Sequence, residues 1–203
     1  MLFRSGVDPA AVTPQMRRAA KAVNFGILYG QSAFGLAKAL GIPQGEAAAF
    51  IAAYFRTFAG AEAFMDDVLD ACARDGHVTT ILGRRRAIGD GRTGVRPRAK
   101  RRSAAGVFSL TLPERTAVNT VVQGSAADLI KVAMLRVGRR LAAERSAATI
   151  VLQIHDELLL EVPPAEVAAT KRILEEEMRG AMTLAVPLEV TLHEGATWAE
   201  CEK

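Results

Sequence analysis

Residues 17–30 read Arg17-Arg18-Ala19-Ala20-Lys21-Ala22-Val23-Asn24-Phe25-Gly26-Ile27-Leu28-Tyr29-Gly30. Arg17, Lys21, Phe25 and Tyr29 recur at a spacing of four. At about 100° per residue each such step drifts by only about 40°, so on a helix the four form one slowly winding stripe. Its cations lie toward the helix N-terminus and its aromatics toward the C-terminus. Cations helped by the positive end of a helix dipole can bind a triphosphate, and aromatic rings can lie against a sugar and a base. A basic amphipathic helix that buries its aromatics in the core has the same spacing, and both readings stand at this point. The helix opens at Thr13-Pro14, a capping residue followed by a proline whose missing N–H is not needed there. It should run to about Tyr29 and stop at Gly30, which tolerates positive φ.

Working outward, residues 31–40 read as a short helix ended by Gly41, Gln44 to about Phe58 as a second, and 61–75 as a third that begins after a break at Gly60. Val78-Thr79-Thr80-Ile81-Leu82 alternates like a strand, with a turn at Gly83. Residues 89–112 mix Gly89, Gly91, Gly94 and Pro97 with six Arg and Lys, from Arg92 to Arg102, which predicts a loop or flexible insertion outside the core. Pro113-Glu114 starts a helix to about Val122. Gly124 should interrupt it, and Ser125 with Asp128 resembles a capping box for a new helix to about Glu144. Thr149 to Ile154 and Leu158 to Val162 form a β-hairpin around His155-Asp156-Glu157. An amphipathic helix over 165–181 and a strand from Leu188 to Leu192 complete the chain.

Half of the 203 residues are hydrophobic, enough for a core. No apolar run approaches the roughly 20 residues of a membrane helix, and the first residues lack the apolar segment of a signal peptide. Cys72 and Cys201 are isolated, which reads as free thiols in a reducing cytoplasm, and three histidines cannot build a His-rich metal cage. Charge is uneven: residues 1–120 carry 17 Lys and Arg against 9 Asp and Glu, and residues 121–203 carry 9 against 13. A basic half suits a polyanion and an acidic half can hold divalent metal, although ordinary surface charge explains such an asymmetry equally well.

Two further constellations stand out. Gln153-Ile154-His155-Asp156-Glu157-Leu158 places adjacent carboxylates between two apolar strands. Polar turns are common, but nothing here supplies the glycine a tight hairpin favours. Asn119 and Gln123, four apart, carry amides able to donate to the minor-groove acceptors that every base pair shares; capping and packing are the plainer alternative. Gly83-Arg84-Arg85-Arg86 forms a basic hairpin that is more often a solvated face, and Trp198 reads as a packing anchor.

The run Arg17 to Gly30, with Arg, then Lys four on, then Phe-Gly and Tyr-Gly, resembles the fingers-helix motif of family A (bacterial polymerase I type) DNA polymerases. The segment around His155-Asp156-Glu157 is similar to a palm motif of that family, and Pro113 to Lys131 resembles the helix between. The resemblance covers about residues 8–203. It implies an α+β fold, with helical fingers over 1–112 carrying the basic insertion at 89–112, and part of a palm over 113–203 with a small antiparallel sheet and packed helices.

The resemblance also implies template-directed nucleotidyl transfer from a dNTP to a primer 3′-hydroxyl, in DNA replication and repair. Arg17 and Lys21 would hold the dNTP phosphates, Phe25 would pack on the nucleotide, and Tyr29 would sit at the templating base. Phe rather than Tyr at position 25 implies ordinary discrimination against dideoxynucleotides. Asp156 would ligate two Mg²⁺ ions, with Glu157 an auxiliary carboxylate, while His155 would touch the primer terminus. Asn119 and Gln123 would contact DNA, and Arg115 would reach a DNA phosphate or the palm carboxylates. The implied partners are primer-template DNA and dNTPs, with no membrane, a monomeric parent enzyme, and a cytoplasmic place at the bacterial nucleoid. The family's other bridging Asp, on a strand preceding the fingers helix, is not found in this sequence, which implies an incomplete piece that polymerises poorly alone. A non-catalytic basic DNA-binding fragment is the alternative. A phosphohydrolase built on His155 and Asp156 would need more ligands than three histidines allow, and residue types leave RNA templates open.

Overall fold

The computed structural model describes residue 8 and residues 11–89, 94–102 and 107–201. The fold is α+β, and the chain forms two compact units, Met1–Val122 and Gln123–Lys203.

In the first unit, α1 (Pro14–Leu28) is capped as the sequence suggests: the Met16 amide donates to Thr13 Oγ1 at 3.2 Å. It ends in a Schellman motif, with Gly30 at φ +79° and the amides of Gln31 and Gly30 donating to the carbonyls of Gly26 and Ile27. α2 (Ala33–Leu40) is capped by Ser32 and stopped by left-handed Gly41. α3 (Gln44–Thr57) and α4 (Ala59–Asp75) meet at Phe58, at φ −115° and ψ 54°. The break is therefore at Phe58, and Gly60 lies inside α4. β1 (His77–Thr79) pairs with β2 (Arg85–Ala87). The helices pack around Ile27, Leu36, Ile51, Phe55, Leu69 and Val78, and the buried Cys72 is a free thiol.

The basic stretch 89–112 corrects the expectation of a loop outside the core. Its residues 90–93 and 103–106 lie outside the described residues. The others are fastened down: Phe108 and Leu110 join the core, and Arg101 is wholly buried. Arg101 donates to Asp66 Oδ1 at 2.9 Å, to Asp70 Oδ1 at 2.6 Å and to the Arg96 carbonyl at 3.0 Å. Arg98 reaches Asp66 Oδ2 at 2.9 Å, and Arg102 pairs with Glu62. Arginine runs read as solvated because charges are costly to bury, but carboxylates on α4 satisfy these.

α5 (Leu112–Ala143) is one continuous helix, which corrects the expected interruption at Gly124 and the capping box at Ser125 and Asp128. One glycine costs only about 1 kcal/mol relative to alanine. Ala117 and Val118 are buried on one side of it, and Ile130, Ala133, Val137 and Leu141 on the other. The capping box is at the true start: Glu114 Oε2 accepts from the Thr111 amide at 2.7 Å. Glu114 is wholly buried and also accepts from the Arg96 guanidinium at 2.8 Å. Burial alone pushes its carboxyl up, but the Arg96 guanidinium and the amides of Thr111 and Arg96 outweigh that and hold it at about 2, below the ordinary 4.5. A depressed value stabilises the fold above the unfolded value and loses that stabilisation as pH falls toward the folded one. Urea unfolding should therefore show Glu114→Gln weaker than the native chain by about 3 kcal/mol at pH 7. The gap should shrink between about pH 4.5 and 2; a gap independent of pH would show that the charge is not its source.

In the second unit, β3 (Thr149–Ile154) and β4 (Glu157–Glu161) form an antiparallel hairpin with a register shift between Ile150 and Leu152. It packs with α6 (Val167–Arg179) and the rest of α5 around Val137, Leu141 and Ile173. Arg136 of α5 donates to Glu177 at 2.9 Å and to the Gly180 carbonyl. The expected strand from Leu188 to Leu192 is not formed. Its side chains alternate in exposure, but alternation yields a strand only with a ladder partner. Here Val190 and Leu192 line, with Leu158 and Leu160, a trough of about 810 Å³. Trp198 lines the same trough and is 44% exposed, so it is not a buried anchor. No described helix is long and apolar enough to cross a membrane.

Candidate functional site

Each unit contributes one cluster. On α1, Val23 and Ile27 face the core, and the stripe lies on the outer side. Arg17 and Lys21 are exposed. Lys21 Nζ stands 6.0 Å from the Phe25 ring centre, and Phe25 and Tyr29 stack at 6.0 Å and 19°. Phe25 is 42% exposed. A buried aromatic face would need the reverse, so the core-helix reading fails and a cation-then-ring surface remains.

Residues the sequence reading passed over hold this surface in place. Asn24 Oδ1 accepts from the Tyr54 hydroxyl at 2.7 Å, which fixes the rotation of α1 against α3. A Cβ at Gly26 would meet the Gln31 side chain at 2.0 Å. A Cβ at Gly30 would lie 2.6 Å from Cγ of Arg115, so this glycine also makes room for the Arg115 stem across the end of α1. Arg115 thus stands beside the Tyr29 end of the stripe. The signal available was the glycine after each aromatic, in Phe25-Gly26 and Tyr29-Gly30.

Asn119 and Gln123 lie one turn apart on α5. Gln123 is exposed; Asn119 is half-buried, with its Oδ1 enclosed and without a partner among the described residues. Thr120, next to Asn119, accepts from Arg86 of β2 at 2.8 Å.

In the second unit, Ile154 pairs with Glu157, so His155 and Asp156 form a two-residue turn. His155 takes the left-handed conformation at φ +49°, a costly one for a residue with a Cβ. Gln153 Nε2 donates to the His155 carbonyl at 2.7 Å. His155, Asp156 and Glu157 are all exposed. Their carboxylate oxygens are donors of the hard type that suits Mg²⁺. Among the described residues no group of three or more His, Cys, Asp or Glu could hold a metal ion. In chemistry the donors fit such an ion, and in number they supply part of a site.

Residues 4–200 match the profile of the family described as DNA polymerase family A. DNA polymerase I of Bacillus caldotenax is 46% identical over 197 residues, covering 97% of this chain and 21% of that protein. The thermostable DNA polymerase I of Thermus aquaticus is 43% identical over 198 residues, covering 98% and 22%. The chain spans about a fifth of the length of these curated relatives. Among solved structures, the POL domain of Pol1 from M. smegmatis in complex with DNA primer-template and dNTP superposes with a TM-score of 0.83 at 37% identity, covering 98% of this chain and 33% of that one.

Proposed function

This chain belongs to DNA polymerase family A, and from that premise we propose that it is part of a template-directed DNA polymerase, supplying the dNTP-gripping helix and one metal-binding carboxylate turn. The observation that carries the reading is the outward stripe on α1, where exposed Arg17 and Lys21 precede an exposed Phe25 stacked on a half-buried Tyr29.

In this reading Arg17 and Lys21 bind the triphosphate by charge-assisted hydrogen bonds. Phe25 and Tyr29 stack against the nucleotide and the templating base. Asn119 and Gln123 test pair geometry through acceptors common to all base pairs, and Arg115 steadies the Tyr29 end. His155 touches the primer terminus. Asp156, with Glu157 beside it, is the residue that would hold Mg²⁺, which when bound lowers the pKa of the primer hydroxyl and neutralises the leaving pyrophosphate. The family's two-ion chemistry needs a second bridging carboxylate beyond this turn. The partners are primer-template DNA and dNTPs, for a monomeric enzyme at the bacterial nucleoid.

The test is a graft of this chain in place of the matched segment of the Bacillus caldotenax relative. The graft is expected to extend a primer, and Lys21→Ala in it to lower kcat/KM for dNTP about 10- to 100-fold, chiefly through KM. Unaltered dNTP dependence would remove α1 from the nucleotide site. A graft that binds primer-template without extending it would favour a non-catalytic DNA-binding role.

A further inference from the structure

We propose that Arg96 is a positioning residue for the nucleotide helix. By holding the Ser109 carbonyl and the Glu114 carboxylate together, it fixes Leu110 and Arg115, the two side chains against which the Tyr29 end of α1 bears. The proposal deepens the polymerase reading and rests on it.

The contact at the end of α1 is close. A Cβ at Gly30 would lie 2.6 Å from Cγ and 3.0 Å from Cδ of Arg115, and 3.1 Å from Cδ1 of Leu110. A crevice whose lining includes Ile27, Gly30, Gln31, Ser109 and Leu110 holds about 10 Å³, no more than a single water needs. Packing without slack transmits displacement, so a shift of Leu110 or Arg115 reaches Gly30 and, next to it, Tyr29.

Arg96 sets both side chains. Its Nη2 donates to the carbonyl of Ser109, the residue before Leu110, at 2.6 Å. Nη2 also donates to Glu114 Oε2 at 2.8 Å and Nε to Glu114 Oε1 at 3.0 Å, and the Arg96 amide adds a bond to Oε1 at 2.9 Å. Glu114 precedes Arg115 and caps α5 through the Thr111 amide, so the same carboxylate fixes the first turn of the helix that carries Arg115. Arg96 is itself anchored. Its carbonyl accepts from Arg101 Nε at 3.0 Å, and Arg101 is held by Asp66 and Asp70 of α4. The Ser109 amide donates to the Arg101 carbonyl at 2.9 Å. A line of hydrogen bonds therefore runs from α4 to the residues that seat α1, all within the first unit.

This geometry asks for more than charge. Any cation could neutralise Glu114, but only a planar fork spans both carboxylate oxygens and a carbonyl at once. A role in stability alone would need the charge and not the fork. Tyr29 is the residue assigned to the templating base, where the shape of the new pair is tested. Misplacement there weakens the choice between right and wrong nucleotides.

The experiment follows kinetics in the graft described above and urea unfolding in the full 203-residue chain, for the native sequence, Arg96→Lys, Lys21→Ala and Val78→Ala. Arg96→Lys is expected to raise KM for the correctly paired dNTP about 3- to 10-fold, with kcat within about twofold. It should lower the ratio of correct to mispaired kcat/KM by a similar factor, with Kd for primer-template unchanged. Val78→Ala loosens the buried core of the first unit outside this line of bonds and should lower the urea midpoint while leaving the ratio alone. If it moves the ratio as Arg96→Lys does, general loosening is the cause and the proposal is overturned. An Arg96→Lys chain that does not fold also overturns it, because the fork then serves the fold first. If Lys21→Ala raises KM while Arg96→Lys keeps native KM and ratio, the positioning role fails and the polymerase reading stands. If neither variant alters dNTP dependence, or the graft binds primer-template without extending it, both fall.

Discussion

Asp156→Ala in the grafted enzyme is expected to slow single-nucleotide incorporation at least about a thousandfold, roughly 4 kcal/mol in barrier. Its Kd for primer-template should stay within about a factor of two. The size follows from the position. A two-residue turn leaves Asp156 exposed at the hairpin tip, where it does nothing for the core that a measurement could confuse with catalysis. Charge neutralisation by a divalent ion at the reacting phosphate acts mainly in the transition state, so the loss belongs in kcat. Glu157 is adjacent but pairs with Ile154 at the end of β4, and Glu157→Gln should cost less. Incorporation that survives Asp156→Ala would place the metal ligand elsewhere.

The largest stability effect is expected from Arg101→Ala, about 3–5 kcal/mol, because it leaves Oδ1 of a buried carboxylate without its partner. Asp66 is wholly enclosed and takes hydrogen bonds from Arg101 at 2.9 Å, with Arg98 at 2.9 Å on its other oxygen. Urea unfolding should show the midpoint falling sharply. The double change Arg101→Met/Asp66→Asn should recover much of the loss, since the penalty comes from a half-satisfied buried charge rather than from missing volume. A small effect for Arg101→Ala alone would show that the network relaxes into water.

The helices of the first unit were legible because their punctuation is chemical: Thr13 with Pro14, Ser32 and Gly41 act through side chains and φ angles that any reader of the chain can see. The β3–β4 hairpin was legible for a similar reason, an apolar run on each side of a polar turn. The outward stripe could be foreseen as a stripe, but its direction could not, because spacing alone does not say which face is buried. Among the misread features, three show why the sequence misleads. Stretch 89–112 looked solvated because its burial depends on Asp66, Asp70 and Glu62, far away in sequence. Gly124 looked like a break because local propensity was weighed without the packing on either side of it. Leu188 to Leu192 has strand alternation, and whether a strand forms depends on a hydrogen-bonding neighbour that the segment cannot specify. The supports of the site, Asn24, Gly26 and Gly30, show only through what they touch: Tyr54, Gln31 and Arg115.

Position 155 bears a conformation that glycine or asparagine would occupy at lower cost, yet histidine stands there. Histidine is itself among the side chains that enter the left-handed region more readily than most, so the hairpin can carry an imidazole at its tip for a modest conformational cost.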